Sequence, residues 1–424
     1  MSAISGTPSL PVAGTGAGPD LAGLLRDGGL HTVFQPFIDL DSGAVTAYES
    51  LLRGPVATRW ASPMALLDAA RSTGRLADLE HASLRASLAG AAASSDGQAV
   101  TLFVNLEPRT LTDHLDVVLD ALAARAEHVQ VVVEITERAL AADLAGVLAG
   151  AERLRAAGCA VALDDVGAEP ASLAFIPLLR PEVVKLDLRL LRTVKDPATV
   201  TVAGAVQAYA EQSGAEVVAE GIETPEDLTR ALVLGATLGQ GWLWGRGDRG
   251  MSRTTFAPER FTARSIGPAL RATPYELIGY RRRVRRAPKH LLIPLSKTLE
   301  TTARQAAVPP IVLAAFEHAR FFRPSTMRDF TGLAATLPFV AAFGVDMPAR
   351  PAPGVRGVAL SPADPLSSEW TVVVLGAHTC GALMARDLGD DGPDGDREFE
   401  FVVSYDRALV TAAAHSLAGR LTAD

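Results

Sequence analysis

The sequence predicts an α/β protein: a TIM-like (β/α)8 barrel with one antiparallel strand, followed by a second, smaller α/β domain. Three observations lead there. Between residue 30 and about residue 245, eight short apolar runs alternate with longer Ala- and Leu-rich amphipathic stretches, the pattern of a mostly parallel sheet with helices outside it. Polar residues stand at or near the C-terminal ends of successive runs: Glu49, Asn105, Glu134, Asp164, Asp165, Lys185, Glu220, Glu223 and Gln240. A barrel of this kind collects its working side chains there. After a stretch that breaks this rhythm, a second series of apolar and helical runs resumes near residue 291.

The elements follow in order. Residues 1–19, rich in Gly, Pro, Ser and Ala, read as a flexible leader. The first two runs, VFQPFID from Val33 and VTAYESLL from Val45, are joined by the tight turn of Asp39, Asp41 and Gly43. So short a connection cannot join parallel strands, so one of the two lies antiparallel to its neighbour. TLFVNL from Thr101, VQVVVEIT from Val129, CAVALDDV from Cys159, EVVKLDL from Glu182, EVVAEGIE from Glu216 and LGQGWLWG from Leu238 complete the eight. The barrel is thus expected over residues 20–250, a linker over 251–290 and the second domain over 291–424.

The linker ends in the densest basic cluster of the chain, Arg281, Arg282, Arg283, Arg285, Arg286 and Lys289. With no aromatic interleaved beyond Tyr280, it reads as a solvated linker or an anchor onto an acidic neighbouring domain. The formal net charge of -8 argues against a general nucleic-acid binder. At 48% hydrophobic composition, 424 residues supply apolar material for two separate cores. Cys159 and Cys380, far apart, read as reduced buried thiols. No run reaches the length that spans a bilayer, and the N-terminus lacks a secretory pattern, so the expected location is cytoplasmic, without membrane attachment.

The polar residues at the run ends are mostly oxygen donors, with one lysine and neither histidine nor cysteine. Oxygen-only ligation suits Mg²⁺ or Mn²⁺ and disfavours zinc. So many acids in one bowl would repel one another without a cation between them. Singly, several have ordinary readings: Glu49 as a helix-start acid, Asn105 closing a turn before Pro108, Lys185 and Asp187 as an ion pair, and Glu223 opening a helix before Pro225. The adjacent Asp164 and Asp165 after a wholly apolar run resist such a reading.

In order along the chain, the motifs QPFIDLDSG, YESLLR (in place of Glu-Ala-Leu), FVNLEP, VEITE, LDD, KLD, VVAEGIET and GQGWLWG resemble the EAL domains, cyclic di-GMP phosphodiesterases. The resemblance implies metal-dependent hydrolysis of cyclic di-GMP to linear pGpG with two ions, Mg²⁺ or Mn²⁺. It implies Glu49, Asn105, Glu134 and Asp164 as ligands of one ion, and Asp164 and Asp165 beside the other with Glu220 completing it. Lys185 is implied at the attacking water or phosphate, Glu220, Glu223 and Gln240 in the catalytic set, and Arg53 and Gln35 on the substrate. Glu137 is implied as the brace of the loop after Asp165. That loop departs from the family, reading Val166, Gly167, Ala168, Glu169, Pro170 and Ala171. The departure leaves open a homodimer, and a non-catalytic cyclic di-GMP receptor is the alternative function.

Through HARFFRPSTMRDF, LPFVAAFGVDM and SEWTVVVLGAH, the second domain resembles the DICT domain, which implies a sensory module that regulates the barrel. His378 and Cys380 are too few for a metal site and are expected as a buried pair. DLGDDGPDGD from Asp387 reads as a solvated turn. Gln207, Tyr209 and Trp242 are expected in packing or behind the site's ligands, outside the chemistry itself.

Overall fold

A computed structural model describes residues 20–421, apart from residues 28, 57, 137–139, 141–142, 168–169, 253–254, 265–271, 280–281 and 390–392. The leader, Glu137, Arg281 and the centre of the altered loop therefore lie outside the described residues. Eight strands close a barrel: β1 (His31–Asp39), β2 (Val45–Arg53), β3 (Val100–Asn105), β4 (Val129–Thr136), β5 (Ala160–Val166), β6 (Val183–Leu186), β7 (Glu216–Ala219) and β8 (Leu238–Gly239). β1 runs antiparallel to both β2 and β8, and the remaining neighbours are parallel. The hairpin sets this: Asp39 accepts from Ser42, and Gly43 takes the positive φ of 72° that closes the turn.

The barrel interior is filled, not open. Phe37, Phe103, Val132, Ala162, Val183 and Phe261 form a buried plug, with Phe37 and Phe103 centroids 4.5 Å apart and Phe103 edge-on to Phe261 at 5.5 Å. Phe261 comes from the linker, which crosses the N-terminal end of the barrel. There Gln130 donates to the Pro258 and Phe261 carbonyls, and Arg260 pairs with Asp39 and Glu216 at 2.7 Å each. With one end stoppered by aromatics, polar chemistry is confined to the other.

A seven-stranded sheet forms the second domain: β9 (Arg285–Pro288), β10 (Ile311–His318), β11 (Val340–Val345), β12 (Arg356–Leu360), β13 (Glu369–Leu375), β14 (Cys380–Asp387) and β15 (Glu398–Ser404), in the order β12-β11-β10-β13-β14-β15-β9. β9 lies inside the span expected as linker. Its strand pairs with β15, and Arg286 and Arg282 bind Glu400 and Asp406 at 2.8 Å each, so part of the basic cluster anchors onto acids of its own domain.

Two separate cores were expected, and the structure joins them. One buried apolar cluster runs from the barrel's outer layer through the C-terminal helix, Arg407–Ala418, to one face of the second sheet. Leu409, Val410, Ala413, Ala414, Leu417 and Ala418 bury more than one side of that helix, which is why it can sit between two domains. The second sheet's other face packs separately on the helices Lys289–Gln305 and Pro324–Ala334.

Two smaller expectations also change. His378 is exposed and Cys380 half-buried, its thiol donating to the Tyr405 carbonyl, so they are not a buried pair. The acidic run from Asp387 is more than a solvated turn: Asp387 and Asp394 bind Arg397, and Asp394 also binds Lys289 at 2.8 Å. Lys289 and Arg397, each 8% exposed, would be costly to bury without such partners.

Candidate active site

Pairing register brings the strand-end residues to one level. Gln35 lies opposite Glu49, Asn105 opposite Glu134, and Thr136 opposite Asp164. Adjacent strand residues normally face opposite sides of a sheet, which would separate Asp164 from Asp165. Here the β5–β6 register shifts between Leu163 and Val166, and Asp165 takes φ of 59°. The irregularity lets both acids reach the mouth: one carboxylate oxygen each from Asp164, Asp165 and Glu220 lie within 4.8 Å of one another.

Lys185 stands at the centre, 1% exposed. Its Nζ lies 2.7 Å from Glu134, 2.7 Å from Glu220, 3.1 Å from Asp164 and 3.7 Å from Glu49, and 5.9 Å above the Phe37 ring of the plug. Asn105 Nδ2 donates to Glu49 Oε1 at 2.9 Å, and Gln240 Nε2 donates to Glu49 Oε2 at 2.6 Å and to Gln35 Oε1 at 3.3 Å. Eight of the nine strand-end polar residues singled out in the sequence, all but Glu223, thus gather at this centre, with Gln35 beside them.

Glu223 and Arg53 stand further out. Glu223 is exposed, one residue before the Thr224–Asp227 capping box that opens the helix Pro225–Val233, and its amide donates to Asp227. Arg53 donates to the neighbouring Leu52 carbonyl and lines a side cavity of about 210 Å³ with Asn105, Glu107 and Thr136. Burial lowers the Arg53 pKa against the opposing charge of Glu49.

The electrostatics are those of an overcrowded anionic bowl. Burial, reinforced by Glu49, pushes the Glu134 carboxyl well above its usual range. Burial likewise pushes Glu220 up to about 8, even against the attraction of Lys185. Burial drives Glu49 upward too, but Lys185, Gln240 and Asn105 outweigh it and hold Glu49 below its ordinary value. Four surrounding acids raise Lys185 despite its burial, so it stays an ammonium.

Sequence reading missed Glu80. It lies on the buried side of the helix Leu76–Ser94, accepts the Glu107 amide beside the mouth, and is raised by burial to about 7. An acid on the otherwise apolar face of LADLEHASL was the available signal. Trp242, expected in packing, is instead 54% exposed, with the Arg246 guanidinium 3.9 Å from its ring centroid.

A model of the EAL domain matches residues 20–247, more than half of the chain. The chain belongs to the EAL family. A model of the DICT domain, described as a sensory domain in diguanylate cyclases and two-component systems, matches residues 279–388. The cyclic di-GMP phosphodiesterase RocR of Pseudomonas aeruginosa is 32% identical to this EAL protein over 156 residues, 35% of this chain and 39% of RocR. The blue light- and temperature-regulated antirepressor BluF of Escherichia coli is 28% identical over 204 residues, 46% of this chain and 49% of BluF. Klebsiella pneumoniae BlrP1, solved with manganese and cyclic di-GMP, superposes with a TM-score of 0.47 at 26% identity, over 53% of this chain and 58% of that one. This EAL protein therefore spans less than two thirds of the length of each. Among the described residues, no helix is long and apolar enough to cross a membrane.

Proposed function

We propose that the barrel hydrolyses cyclic di-GMP to linear pGpG with two divalent cations, Mg²⁺ or Mn²⁺, and that the DICT domain regulates it. The observation that carries this reading is the convergence of Glu49, Glu134, Asp164 and Glu220 on one buried ammonium, with Asn105, Asp165 and Gln240 closing the bowl. The donor set fits oxygen-seeking cations. Glu134 Oε2 and Gln240 Oε1 are buried without a hydrogen-bond partner, an arrangement that is costly unless something arrives to bind them.

Glu49, Asn105, Glu134 and Asp164 would hold one cation, and Asp164, Asp165 and Glu220 the other. When bound, the two ions supply Lewis acidity at the phosphoryl oxygens and a deprotonated water at neutral pH. The chain's own groups do the rest. Lys185, an ammonium fixed by its neighbours, stabilises negative charge developing on the phosphoryl oxygens, as a preorganised cation in a water-poor cleft does well. Gln240 and Asn105 orient Glu49 by donating to its two oxygens. Arg53, further out, and Gln35, beside Gln240, would meet a phosphate and a neutral polar group of the substrate. Glu223 completes the outer polar set at the β7 end.

Product analysis tests the reading. The full chain with Mg²⁺ or Mn²⁺ is expected to yield pGpG, and with Ca²⁺ to bind cyclic di-GMP with little turnover. If calorimetry shows binding while the dinucleotide stays intact in Mn²⁺, the enzyme reading fails. The receptor reading, which rests on the altered loop at 166–171, then takes its place.

A further inference from the structure

At the junction of the two domains lies a cavity of about 520 Å³ whose lining includes none of the residues of the barrel mouth. One wall is the segment that follows β5, Pro170–Phe175 and the short helix Ile176–Leu179. The other walls are the helix Pro197–Ser213 and the C-terminal helix Arg407–Ala418. Leu173, Ile176, Ala205, Ala408 and Ala412 make most of the surface apolar, and the volume falls within the range of small-molecule sites.

The polar groups of the cavity are one-sided. Among the described residues, Arg180 and Arg407 line it and no acidic side chain does. Neither guanidinium forms an ion pair among the described residues; Arg407 donates only to the Gly376 carbonyl at 2.9 Å. Arg180 closes the short helix with a left-handed φ of 51°. Tyr209 is turned away, its hydroxyl donating to the Pro181 carbonyl at 2.9 Å. His415, 3% exposed, spans the two domains by bonding the Pro177 carbonyl at 3.3 Å. Burial, helped by Arg180 and Arg155, lowers its pKa to about 4, so at neutral pH the imidazole adds no charge.

An apolar chamber whose charged groups are two unpaired cations is complementary to a molecule with an apolar body and one anionic head. The geometry points to this cavity as a binding site for a small amphipathic carboxylate, held head-first by Arg180 and Arg407 with its tail between the C-terminal helix and the segment after β5. Such a ligand touches both domains at once, so binding it tightens their junction. The inference does not depend on the barrel being catalytic.

Decanoate is a suitable probe, titrated calorimetrically into the full chain, with 1-decanol as the head-group control. Saturable binding at least tenfold tighter for decanoate than for the alcohol is expected. Arg180→Gln combined with Arg407→Gln should weaken it at least tenfold, and Ala412→Trp, which places an indole in the chamber, should abolish it. Circular dichroism reports whether Ala412→Trp folds; the half-exposed Arg180→Gln keeps the test decisive if it does not. No saturable binding by the unaltered chain, equal binding of the alcohol, or binding unchanged by the arginine pair overturns the proposal.

Discussion

Two of the molecule's charge clusters, one in each domain, are built on opposite plans. In the barrel, one ammonium is shared by four carboxylates within 3.7 Å, with Asp165 nearby. In the second domain, Arg397, Lys289 and Arg323 face Glu317, Asp387 and Asp394, three cations against three acids. Arg397 makes two bonds to Glu317, at 2.8 and 3.0 Å, and stacks 4.5 Å from the Phe321 ring. The balanced cluster satisfies itself and has nothing left to bind. Its unbalanced counterpart leaves Glu134 raised and one of its oxygens without a partner, which is the mark of a site that expects a further cation.

Removing one charge from each should therefore have opposite consequences. Asp164→Asn removes the acid proposed to bind both ions and is expected to lower cyclic di-GMP hydrolysis by roughly 10³-fold, the scale at which preorganised charge acts in such sites. Its thermal midpoint should stay level or rise, because a like charge has been taken from a crowded bowl. Loss of folding with retained turnover per folded molecule would reverse the assignment.

Arg397→Leu should do the converse. It leaves Glu317, 3% exposed and already at φ of 61°, with Lys289 at 3.8 Å as its remaining cation, and costs about 3 kcal/mol of stability, the lower end of what breaking a buried pair costs. Denaturant unfolding of the second domain reads the loss. Turnover per folded barrel is expected to be unchanged. A cost below about 1 kcal/mol would show that the second cluster is not structural.

Cations sharpen the contrast further. Mn²⁺ at about a hundredfold over its dissociation constant stabilises a protein by about 2.7 kcal/mol per site, so the two proposed sites together should raise the midpoint on the order of 10 °C for a barrel of this size. Chelator should remove that rise, and Asp164→Asn should nearly abolish it, whereas Arg397→Leu should leave it intact. An equal response in both variants would place the ion outside the barrel mouth.

How much of this was legible in the sequence follows from what kind of signal each feature leaves. The eight runs were readable because strand periodicity is local, and the β1–β2 hairpin because Asp39 and Gly43 stand within one turn. The acids at the mouth were readable because each ends an apolar run. What stayed hidden depends on contacts across the chain. Nothing local in KHLLIPL announces that Lys289 meets Asp394, more than a hundred positions on. The continuous core was hidden for the same reason: a helix rich in Ala and Leu looks the same whether one domain covers it or two. Asp165 could be named a ligand from its motif, but the left-handed backbone that turns it toward Asp164 could not.

A buried acid of the second domain separates burial from function. Glu369, at the start of β13 and 2% exposed, is raised by burial to about 7, much as Glu220 is, yet no cation pairs with it among the described residues. Its Oε2 accepts the Tyr275 amide at 3.1 Å. Because the folded pKa lies above the ordinary 4.5, its contribution is fully present below pH 4.5 and is lost as pH rises through 7. Glu369→Gln keeps an acceptor for Tyr275 and removes the charge, so it should stabilise the protein by ~1 kcal/mol at pH 8 and have little effect at pH 4.5. Melting curves at the two pH values, with Asp164→Asn alongside, give the measurement. If Glu369→Gln also changes the response to Mn²⁺, a raised carboxyl alone is enough to mark a cation site; if it does not, the crowding of several acids around one ammonium is the feature that distinguishes the barrel mouth.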